Sequence, residues 1–98
     1  MIFVWDVVKA RANLQKHGVS FEEAQSVFRD PLAVVVDDPQ HSQQEPREIV
    51  IGHSSHGRLL FVCFVEHGDG EHRGNVRLIS AREATRQERK KYEQNITF

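Results

Sequence analysis

The sequence predicts an α+β fold: a mainly antiparallel sheet of four to five strands, two N-terminal helices and one C-terminal helix. Three observations predict it. Two amphipathic, well-capped segments come early and are followed by a series of β-branched runs. The connections between those runs are too short for parallel crossovers, which favours an antiparallel meander with helices on one side of the sheet. The chain has 98 residues, 39% of them hydrophobic and 28% charged, which suits one domain with one modest core.

The elements follow in order. Ile2 to Trp5 is a short apolar run and reads as a strand. Asp6 reads as the N-cap of a helix from Val7 to about Lys16, and Gly18 stands where a C′ glycine belongs. Ser20 opens a second helix, with Glu23 at capping-box spacing and Val19 and Ala24 at the positions of a hydrophobic staple. Phe21, Ala24, Val27 and Phe28 share one face of it, and the Asp30–Pro31 pair stops it. Leu32 to Val36 is β-branched and strand-like, and Asp37 to Pro46 is a polar loop. Arg47 to Ile51 is the next strand, Gly52 to Gly57 a hairpin connection, and Arg58 to Val65 the longest apolar run and the expected central strand. A glycine-rich loop spans Glu66 to Asn75. Val76 to Ile79 is the last strand, and Ser80 with Glu83 has the spacing of a capping box that opens the last helix.

The formal net charge of −1 argues against a globally basic nucleic-acid binder. The charge is unevenly spread. Residues 1–57 hold five Lys/Arg against eight Asp/Glu, and residues 58–98 hold eight against six. Such a local basic patch can capture a polyanion, or dock an acidic protein segment. Arg77 and Arg82 flank the expected strand-to-helix corner. A cation there does not help a helix start, whereas an anion such as phosphate is favoured by helix N–H groups and guanidinium together. The plain alternative is surface ion pairing with acidic neighbours. A lone Cys63, inside LLFVCFV, excludes an internal disulfide framework and reads as a buried small hydrophobe. No apolar run approaches the roughly 20 residues of a membrane span, and MIFVWD has no signal-like character. A reducing cytoplasm is the expected setting.

Several segments together carry a family resemblance. They are Trp5, Asp6, Lys9 and Asn13, then KHGVSFEEA from Lys16 to Ala24, and Phe28 with Asp30–Pro31. Glu45 and Arg47 precede an IVIG strand, GRLLFV runs from Gly57 to Val62, and RLISAREAT…ER…YE closes the series at Glu93. In this order they resemble the BrnT family of type II toxin–antitoxin toxins. That resemblance implies a RelE-like fold and a metal-independent ribonuclease without cofactors. It also implies neutralisation by a BrnA-like antitoxin that carries a ribbon-helix-helix DNA-binding module, with operator DNA reached only through that antitoxin. One departure stands out: where the family commonly has T-E-R, this chain has Val65, Glu66 and His67.

Cleavage of RNA without a metal uses the 2′-hydroxyl as nucleophile. It needs a base, cations on the phosphorane, and an acid for the 5′-oxygen. Arg58, Arg77 and Arg82 are the candidate phosphate-gripping groups, expected to converge from two neighbouring strands. Alternation puts Arg77 on the same side as Ile79, which looks buried, so Arg82 is the stronger of that pair. Glu66, then His67, are the candidate proton-transfer groups. Lys9, Lys16 and His17 are candidate RNA-binding cations, and Trp5 a candidate stacking residue. Each has a plain alternative: solvation for Glu66, Lys9 and Lys16, helix-dipole complementation for His17, and core packing for Trp5. Six histidines, including the HxxH pair His53/His56 and His67 with His72, raise a metal-binding reading that lacks cysteine partners. Three function classes therefore stand side by side: an endoribonuclease toxin, a non-catalytic nucleic-acid or antitoxin-binding module, and a metal-binding regulatory domain.

Overall fold

The computed structural model describes residues 1–37, 46–67 and 74–95. The expected polar loop after Asp37, Glu45 and His72 lie outside these residues. Strand β1 (Ile2–Val4) leads to helix α1 (Val7–His17) and helix α2 (Phe21–Ser26), which tightens into a 3₁₀ turn at Val27–Arg29. Strands β2 (Val34–Asp37), β3 (Arg47–His53), β4 (Leu59–His67) and β5 (Asn75–Glu83) follow, and helix α3 (Arg86–Asn95) closes the order. The sheet order is β1-β5-β4-β3-β2. β2 to β5 form the expected antiparallel meander, and β1 joins β5 in parallel.

The N-terminal helices form for the reasons visible in the sequence. Asp6 accepts hydrogen bonds from the Val8 and Lys9 N–H groups, and Gly18 takes the left-handed conformation at φ 69° that ends α1. Ser20 Oγ accepts from the Glu23 N–H at 3.0 Å. The reciprocal half of that box does not form, because the Glu23 carboxylate is engaged elsewhere. Val19, Phe21, Ala24 and Val27 pack with Val50, Leu60, Val62, Val76, Leu78 and Ala81 into the main core. Asn13 is buried and spans the free edge of β5: its amide donates to the Ala81 and Val19 carbonyls, and its oxygen accepts from the Ala81 N–H. At Gly52 the sheet passes close under the 3₁₀ turn, where an added Cβ would meet the Val27 side chain at 3.0 Å. Cys63 is buried, as its sequence setting suggests.

Two expectations are corrected. The helices are not on one side: α1 and α2 cover one sheet face, while α3 packs on the other through Tyr92, against Ile49, Ile51 and Leu59. The last strand does not end at Ile79, and Ser80 does not open α3. β5 stays paired with β4 as far as Glu83, opposite Leu60, and the Ala84 N–H still donates to the Leu59 carbonyl. The working box is Thr85 with Glu88: Glu88 Oε1 accepts from the Thr85 N–H at 2.8 Å, and Thr85 Oγ1 accepts from the Glu88 N–H at 3.2 Å. A nine-residue β4 offers partners along its whole length, and that pairing overrides the local helix signal in SARE.

Candidate active site on the α3 face

β5 contains an extra residue. Cys63 pairs with Ser80 but Phe64 pairs with Leu78, so Ile79 is bulged out of register. In a regular strand, residues five apart point to opposite faces. The bulge resets the alternation, so Arg77 and Arg82 share the α3 face. Arg77 pairs with Val65 and Arg82 with Phe61, on the side away from the buried Leu78, Val76 and Ala81. On the other side of Val65, Arg47 stands in the same row. His67, paired with Asn75, is the next residue of β4 on this face. Three guanidinium groups and one imidazole therefore line one sheet surface, with Cys63 and Ser80 between the rows. Arg47, Arg77, Arg82 and Ser80 are half-buried, and His67 is exposed.

Arg82 is held from several sides. Its Nη1 donates to Glu88 Oε1 at 2.8 Å and to the Glu83 carbonyl at 3.2 Å, and its Nη2 donates to Glu88 Oε2 at 2.9 Å. The guanidinium carbon lies 4.1 Å from the centre of the Phe61 ring, a cation–π contact. The Glu88 hydrogen bonds raise the Arg82 pKa further. Burial pushes the Glu88 carboxyl up, but the bonds from Arg82 and Thr85 outweigh it and leave its pKa below the usual range.

Arg58 is not part of this surface. It stands just before β4, in the turn closed by Gly57 at φ 76°, and reaches to the α2 side. Its Nη2 donates to Glu23 Oε1 at 2.5 Å, its Nε to Glu23 Oε2 at 3.0 Å, and Nη2 again to the Gly18 carbonyl at 3.0 Å. Ser54 Oγ donates to the same carboxylate at 2.7 Å, and His56 lies 3.3 Å from it. Arg58 and Arg82 thus point to opposite faces, and the expected convergence of these two arginines is overturned. The reason is alternation at the start of β4: Arg58 sides with Leu60, whereas Arg82 faces Phe61.

Glu66 also falls on the far face. It lines a cavity of about 300 Å³ with Phe28, Glu48, Phe64 and Val76. Burial, then the charges of Glu66 and Asp37, push the Glu48 carboxyl up. Trp5 packs edge-to-face on Phe21, 6.0 Å between ring centres, so it belongs to the core and not to an open stacking platform. Lys9, Lys16 and His17 ride on α1, which packs against β5. His53 and His56 do not act as a pair: His53 Nδ1 contacts Tyr92 at 3.1 Å, while His56 faces Glu23. Among the described residues no group of three or more His, Cys, Asp or Glu is placed to hold a metal. Arg47 stands in the sequence only as part of a motif; its place on this face follows from strand register, which composition does not reveal.

The family described as "Ribonuclease toxin, BrnT, of type II toxin-antitoxin system" matches residues 5–88. The chain belongs to the BrnT family. A solved structure of the Brucella abortus ribonuclease toxin BrnT shares the fold, with a TM-score of 0.65 and 22% identity over 88% of this chain and 100% of that one. No curated protein matches. The BrnT assignment accounts for the order of motifs along the chain and makes this a toxin of the ribonuclease class, with an antitoxin as the partner such systems imply. Among the described residues no helix is long and apolar enough to cross a membrane.

Proposed function

We propose that the α3 face of the sheet binds and cleaves RNA by transesterification. The observation that carries this reading is the bulge at Ile79, which brings Arg77 and Arg82 onto one surface with Arg47 and His67. The 2′-hydroxyl attacks the adjacent phosphorus, and the bond to the 5′-oxygen breaks. His67 is the group on this face suited to take the 2′ proton or to supply one to the leaving oxygen. The arginines offset the charge that builds on the non-bridging oxygens. The Val65 and Phe61 rows are about 13 Å apart along the strand, so Arg77 and Arg82 suit successive parts of an RNA backbone better than a single phosphate. The product is a 2′,3′-cyclic phosphate. Guanidinium and imidazole supply both charge and proton transfer, which fits a metal-independent reaction.

In the same reading a BrnA-like antitoxin with a ribbon-helix-helix module holds the toxin and carries it to operator DNA. Placement of Glu66 on the far face favours a second reading, a module that binds RNA or antitoxin without cleaving. One experiment separates the two. Purified protein is incubated with total RNA in EDTA, with and without the co-expressed neighbouring gene product. Discrete ends bearing cyclic phosphate, absent when the antitoxin is present, support the enzyme. RNA retained intact on the protein supports the binding module.

A further inference from the structure

A guanidinium has two edges that each present a pair of N–H donors, one formed by Nη1 and Nη2 and the other by Nε and Nη2. In Arg82 the first edge is filled by the two Glu88 oxygens, at 2.8 and 2.9 Å, and the outer N–H of Nη1 by the Glu83 carbonyl. Among the described residues, Nε and the outer N–H of Nη2 take no protein acceptor, and the side chain keeps 35% of its exposure. The Phe61 ring supports the plane at 4.1 Å. Glu88 is itself fixed, because its carboxylate caps the Thr85 N–H and its own N–H donates to Thr85 Oγ1.

We propose that Glu88 is a positioning residue for Arg82, holding the guanidinium so that its Nε/Nη2 edge stands ready as a two-donor clamp for an RNA phosphate. The inference rests on the α3-face reading above and deepens it. An arginine free to rotate must lose that freedom on each binding event, and one already locked by a carboxylate, a carbonyl and a ring does not. The first turn of α3 is therefore more than a cover for the sheet; it sets the orientation of a site residue. The opposite arrangement, in which Glu88 masks Arg82 and must be displaced, would give the opposite sign in the test.

The Arg82 Nε–H resonance is followed by ¹⁵N–¹H NMR during titration with inorganic phosphate. In parallel, kcat and KM are measured on a short RNA. The wild-type resonance should move with phosphate. Glu88→Ala should abolish that movement and slow cleavage by about 10- to 100-fold, the scale of losing one oriented donor pair. Glu88→Gln, which keeps the helix cap and one bond to Arg82, should fall between. In an Arg82→Ala background, Glu88→Ala should cost nothing further. Tyr92→Phe, which loosens the far end of α3 without touching Arg82, should preserve both the phosphate response and turnover. Faster cleavage by Glu88→Ala, an unchanged phosphate response in that variant, or no response in the wild type would overturn the proposal. The phosphate titration judges it even if the wild-type protein cleaves no RNA, so its failure is distinct from failure of the cleavage reading.

Discussion

Single side chains show how a small domain divides its polar groups between structure and chemistry. Asn13 bonds both backbone groups of Ala81 and the Val19 carbonyl in a buried position. Asn13→Ala would leave those groups unsatisfied and should cost about 2–4 kcal/mol, read from denaturant unfolding. Glu23 is pulled below the usual carboxylate range mainly by its Arg58 hydrogen bonds, with burial opposing and Ser54 assisting. Its folded pKa is thus lower than its unfolded one. The resulting stability is complete above the ordinary glutamate range and is lost as pH falls through the lowered value. Glu23→Gln should lower Tm at neutral pH, and the gap from wild type should close on acidification. Glu48 runs the other way, raised first by burial and then by Glu66 and Asp37. Its contribution is unfavourable once pH exceeds the ordinary range, so Glu48→Gln should raise Tm at neutral pH and change nothing in acid. Equal Tm shifts for both variants at every pH would contradict this assignment.

At the scale of elements, α3 is the informative case. Two Ser/Thr-x-x-Glu frames compete for its start, Ser80 with Glu83 and Thr85 with Glu88. Read locally the two are equivalent, and the first is wrong because β4 pairs with β5 through Glu83. Thr85→Ala should cost about 0.5–2 kcal/mol and increase amide exchange in the first turn of α3. Ser80→Ala should leave that exchange unchanged; the reverse pattern would restore the earlier helix start. Further along, the Tyr92 hydroxyl donates to Asp30 at 2.7 Å, and burial followed by Asp30 raises the phenol to about 12. The caps of α1 and α2 were legible because Asp6, Gly18 and Ser20 act within a few residues of themselves. The bulge was not, since Ile79 carries no glycine or other local marker and exists only by reference to β4. That one residue explains why Arg77 and Arg82 were both identifiable as candidates while their shared face was not. Arg58 was misplaced for a related reason: its partner Glu23 lies 35 positions away.

On the scale of the whole molecule, the sheet separates two kinds of polar surface. The α1–α2 face carries the main core, the Glu23–Arg58 tie and the acidic cavity at Glu48 and Glu66. The α3 face carries Arg47, Arg77, Arg82 and His67. A net charge of −1 conceals this division, which only the strand register resolves. Under the proposed function, neutralising the two faces has unequal consequences. The most direct measurement is cleavage of one short RNA in EDTA by Arg77→Gln, Arg82→Gln and His67→Gln beside Lys9→Gln and Lys16→Gln, each confirmed folded by its melting curve. The three variants on the α3 face should each lose about 100-fold or more in turnover, on the scale of removing an oriented charge or a proton-transfer group, and the two on α1 should stay within a few-fold of wild type. Full activity in the first set with loss in the second would place RNA on the other side of the sheet and contradict the account.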